Sequence, residues 1–87
     1  MTTADLAKIE ALICALSKAG FDTAADQLKE AVYQTSYRNT SEMFGEIGVA
    51  VRAAMHLVGP SPIAEVASAL AQARDEIVKV VPKWSAP

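Results

Sequence analysis

A chain of 87 residues, 52% of them hydrophobic and 6% aromatic, fits one domain with a single modest core and excludes a disordered polymer. Its net charge of −2 supplies no long-range attraction for nucleic acid or an anionic membrane. The single cysteine, Cys14, excludes an internal disulfide and a cysteine-based metal site, there is no signal-peptide pattern, and no apolar run approaches the ~18 residues of a membrane span, so the expected setting is the cytoplasm.

Caps and periodicity predict an all-α, antiparallel up-down bundle of four helices over about 4–19, 23–36, 40–58 and 62–81, with dimerisation as a means of completing it. In the first helix, Leu6, Ile9, Ile13 and Leu16 recur at the spacing of one buried stripe, widened by Leu12. Cys14 sits among these apolar neighbours and is expected to be a buried, inert thiol. Gly20 supplies the left-handed stop, and the link to Asp22 or Thr23 is so short that the first two helices must form an antiparallel hairpin. Ala24, Leu28, Ala31 and Val32 make the inner face of the second.

Asn39 followed by Glu42 is a variant capping box, which starts the third helix with Phe44, Ile47, Val51, Ala54, Met55 and Val58 facing in. That helix stops at Gly59-Pro60. Ser61 and Pro62 then read as cap and first residue of the fourth, whose stripe is Ile63, Val66, Leu70, Ala73, Ile77 and Val80. On its wet side lie Glu65, Gln72, Asp75 and Glu76, with Asp75 and Lys79 as a favourable i, i+4 pair. Residues 1–87 form one domain, and 82–87 read as a mobile tail unless Trp84 docks.

The inventory of reactive groups is thin. His56 is the only histidine, and Arg52 four residues before it gives no metal pair. No HExxH, GxSxG, phosphate-cradling glycine loop or Glu-x-x-His pair occurs, so the expectation is a non-enzyme with no catalytic residue, metal or cofactor. The stretch "LSKAGFDTAADQL" has the outline of a helix-turn-helix, but Asp22, Asp26 and Glu30 would place carboxylates against phosphates. No nucleic acid is expected. The acidic-to-neutral polar face of the fourth helix argues equally against a membrane surface.

Protein–protein recognition remains, with a homodimer as the first expectation. So apolar a small bundle is hard pressed to hide every hydrophobic side chain, and self-association relieves that. Gly45 and Gly48 lie inside the third helix, where each costs ~1 kcal/mol relative to Ala, which suggests close packing against that face. Tyr33, Tyr37, Arg38 and Trp84 are of the types that dominate interface hot spots, although tyrosines also cover bundle ends. Glu42 and Glu46, followed by Arg52 and His56 along the same side, run acidic to basic, so an antiparallel twin would set Glu46 against Arg52. The interface candidates are therefore Tyr37, Arg38, Glu42, Gly45, Glu46, Gly48, Arg52 and His56. A small-ligand pocket, with Arg52 and His56 holding an anion, is a different possibility.

The run "LICALSKAGFDTAADQLKEA" followed by "NTSEMFGEIGVAVRAAM" resembles a group of small bacterial all-helical proteins of immunity or phage-accessory type. Those share a Leu-rich helix, a glycine, an A-x-x-L-x-x-A helix and a Thr/Ser-Glu start to a third. The resemblance implies bacterial origin and an accessory role, with immunity or inhibition of another protein as the alternative to self-association. The Tyr37-Arg38-Asn39 turn and the proline-ended tail fall outside the pattern, so it assigns no partner residue.

Overall fold

Each turn of the chain is set by local chemistry. In the computed structural model, which describes residues 6–34, 36–59 and 63–84 (of Thr40, the backbone alone), α1 spans Leu6–Lys18. It ends in a Schellman motif: Phe21 N–H donates to the Leu16 carbonyl at 2.9 Å and Gly20 N–H to that of Ser17 at 3.2 Å. Gly20 adopts φ +88°, which a side chain would resist. Helix α2 (Asp22–Tyr33) begins directly after Phe21, which itself packs against the core. Helix α3 (Thr40–Val58) starts with the Asn39 side chain accepting from Glu42 N–H at 2.9 Å, and it closes at Gly59, whose N–H donates to the Met55 carbonyl. Helix α4 (Ala64–Val80) completes the set, and no strand occurs among the described residues.

Consecutive helices pack side by side and α4 closes onto α1, while the backbones of the diagonal pairs stay apart. This is the up-down arrangement that short links impose. The Cα radius of gyration of 11.8 Å matches the ~12 Å of a folded chain this long. Ile9, Leu12 and Leu16 of α1, Leu28 of α2, Phe44, Ile47 and Val51 of α3, and Val66 and Ile77 of α4 are wholly enclosed. Ala24, Ala25, Ala54 and Ala73 are enclosed with them.

Several expectations are corrected. Cys14 is exposed: the buried stripe centres between Ile9, Leu12, Ile13 and Leu16, and residue 14 projects ~150° away from it. Helix α2 ends at Tyr33 instead of residue 36, with Gln34 already at φ −111°, ψ 5°. Ser61 and Pro62 lie outside the described residues; Ile63 is extended at the cap position and α4 starts at Ala64 instead of residue 62. Ile63 accordingly leaves the core stripe and is 56% exposed. On α4, Lys79 pairs at 3.0 Å with Glu76, one turn back, in place of the expected partner Asp75. Glu76 is buried, because it lies beside Ala69, Ala73 and Val80 at the edge of the stripe, and Lys79 supplies the charge such burial requires.

Candidate protein-interaction surface

The turn between α2 and α3 is held by its own side chains. Tyr37 is half-buried and its hydroxyl donates to the Ala31 carbonyl at 2.6 Å. That carbonyl belongs to the last turn of α2, where acceptors lack helical donors, so Tyr37 acts as a side-chain cap. Asn39 then caps α3 two residues later. Arg38, between them, is exposed. Tyr33 is 59% exposed, and its hydroxyl donates to Glu10 Oε2 on α1 at 2.8 Å. This hydrogen bond, helped by the negative charge of Glu10 and by Cys14 nearby, holds the phenol above its ordinary pKa. The two tyrosines thus tie helices together.

The residues of α3 fall on three flanks instead of one side. Towards α2, Glu46 lines an open groove of about 290 Å³ with Tyr37, Val49, Ala50 and Ala53, faced by Gln27, Glu30 and Ala31. Towards the chain end, Gly48 is buried under Trp84: a Cβ at residue 48 would lie 2.6 Å from the indole Nε1 and 3.4 Å from Ile77 Cγ2. Arg52 shares this flank, its guanidinium carbon 5.9 Å from the Trp84 ring centroid, in cation–π range. Glu46 and Arg52 therefore lie on opposite flanks, which corrects the expectation of a shared side. A side-by-side twin about one two-fold axis would carry them on opposite sides of the seam.

Between the flanks runs an outward crest. Glu42, Val49 and His56 are spaced by seven residues, lie within ~20° of one line along the helix, and are all exposed. Gly45 and Ala53 stand on either side of Val49, and a Cβ at Gly45 would meet nothing within 4 Å. The expected close packing at the glycines is thus met within the chain at Gly48 alone. Val49, 61% exposed, was not among the sequence candidates; its place midway between Glu42 and His56 was the available signal. Leu57 is 50% exposed and borders a recess of about 170 Å³ with Gly20, Phe21 and Asp22.

Trp84 was also outside the candidate set. After α4 its N–H donates to the Val81 carbonyl at 3.0 Å, and this turn returns the indole to the bundle. Trp84 is seated against the bundle while Pro82 and Lys83 are exposed, and 85–87 lie outside the described residues. The indole Nε1 is enclosed without a hydrogen-bond partner, a cost that the apolar seat must offset. Among the described residues, no group of three or more His, Cys, Asp or Glu could hold a metal ion, and no helix is long and apolar enough to cross a membrane. No family model, curated protein or solved structure matches this chain.

Proposed function

We propose that this chain is a non-enzymatic helical bundle that acts by binding protein, its own copy first, through α3 and the turn at residues 33–42. The observation that carries the proposal is the outward face of α3. Val49 remains 61% exposed there, between an acidic start and a basic end. A bundle that encloses Phe44, Ile47, Val51 and Ala54 of the same helix has no internal reason to leave Val49 in water. A bacterial, cytoplasmic setting and an accessory or regulatory role belong to the same proposal. They draw on the low charge, the lone cysteine and the helix punctuation of the sequence.

A second reading, an immunity or inhibitor protein masking another protein's site, is favoured by the groove between α2 and α3. Glu30 and Glu46 flank an apolar floor of Ala31, Val49 and Ala50 there, which suits a basic, partly apolar segment. Light scattering behind size exclusion, run from micromolar to millimolar protein, tests the first reading. Mass that rises with concentration is expected, and a strict monomer throughout removes self-association.

A further inference from the structure

The crest of α3 carries a pattern with two-fold symmetry. Val49 is its midpoint: Glu42 and His56 stand seven residues to either side, and Gly45 and Ala53 four. Seven residues are ~10 Å of helix rise and nearly two whole turns, so acid, valine and histidine project in one direction. Reversing the helix end for end about Val49 places each glutamate where a histidine stood, and each glycine where an alanine stood. This is the self-complementarity that a two-fold interface demands. Imidazole donates to a carboxylate whether charged or neutral, so the pairing does not depend on the protonation state of His56.

Resting on the self-association proposed above, the geometry points to one particular occupant and register. A second copy lays its α3 antiparallel across this crest, Val49 against the partner's Val49 and Glu42 against the partner's His56. Gly45, with open space where a Cβ would stand, lets the partner helix come close beside Val49. Exposure agrees, since Val49 is the most exposed of the large apolar side chains described. Glu46 and Arg52, on opposite flanks, stay outside the central seam. One helix face, ~28 Å long, buries well under the ~800 Å² per partner of a standard interface, so the dimer belongs to the weak, concentration-dependent class.

Sedimentation velocity on the full chain, over a dilution series reaching about millimolar, tests the register. Glu42→Lys and His56→Glu are each expected to weaken association about tenfold, because the two-fold axis makes each change act twice. The double variant restores the opposite-charge pairing and is expected to return to within about threefold of the parent. Val49→Glu abolishes association, whereas Val78→Glu on α4 leaves it unchanged. All these positions are exposed, and a circular-dichroism melt of each variant confirms that the fold is retained. A parent that associates while both single charge changes have no effect overturns the register and leaves self-association standing. A parent that stays monomeric overturns both.

Discussion

Gly48→Ala tests the seat of Trp84, and the size of its effect can be worked from the structure. The added Cβ would stand 2.6 Å from Nε1 and 2.7 Å from Cδ1 of the indole, far inside the ~3.5–4.0 Å of ordinary contact. Residue 48 lies mid-helix, where the backbone cannot recede without breaking its own hydrogen bonds, so the indole must leave. Undocking a partly buried Trp loses ~150 Å² of apolar burial, or about 4 kcal/mol at ~25 cal/mol per Å². Against this, freeing Lys83 and Trp84 recovers about 2–4 kcal/mol of backbone entropy. The enclosed indole N–H regains water, about 1–3 kcal/mol, and Ala is better than Gly in a helix by about 1 kcal/mol.

At the low end of these ranges the recovered terms match the loss, so the indole can leave with little change in global stability and local and global readouts should separate. Trp84 is the only tryptophan and therefore reports on its own seat. Its emission is expected to shift to the red and its quenching by acrylamide to rise. The thermal midpoint should move by no more than the 4–8 °C that about 1 kcal/mol represents in a domain of this size. Emission and quenching identical to the parent's would refute the placement of Trp84 on Gly48. A loss above about 3 kcal/mol would refute the cancellation and make the indole part of the core.

Asn39→Ala removes the side-chain cap at the start of α3 and is expected to cost about 1 kcal/mol in denaturant unfolding, while Asn39→Asp keeps most of it. The Tyr33 phenol is held above its ordinary pKa chiefly by its hydrogen bond to Glu10. A raised folded-state pKa means that the associated stability is present in full below the unfolded value and is lost as pH climbs through the folded one. In a Tyr37→Phe background, phenolate absorbance reports Tyr33 alone; Glu10→Gln should lower its midpoint and reduce the alkaline loss of stability, and an unmoved midpoint would refute the contact.

Much of this fold was legible locally. Gly20, Asn39 and Gly59 punctuate the chain through their own backbone and capping chemistry, and 3.6-residue periodicity marks Ile9, Leu28, Val51 and Ile77 as core without reference to other helices. The sequence by itself therefore determined four helices, their order and most of their inner faces. Only the tertiary structure decided what each remaining face meets, because a helix position has no environment until its neighbours are placed. Helix α2 on one side of α3 and the returning Trp84 on the other put Glu46 and Arg52 on separate flanks. The same placement left Cys14 in water, enclosed Glu76 against Lys79 and assigned Gly48 to the indole, leaving Val49 on the open crest.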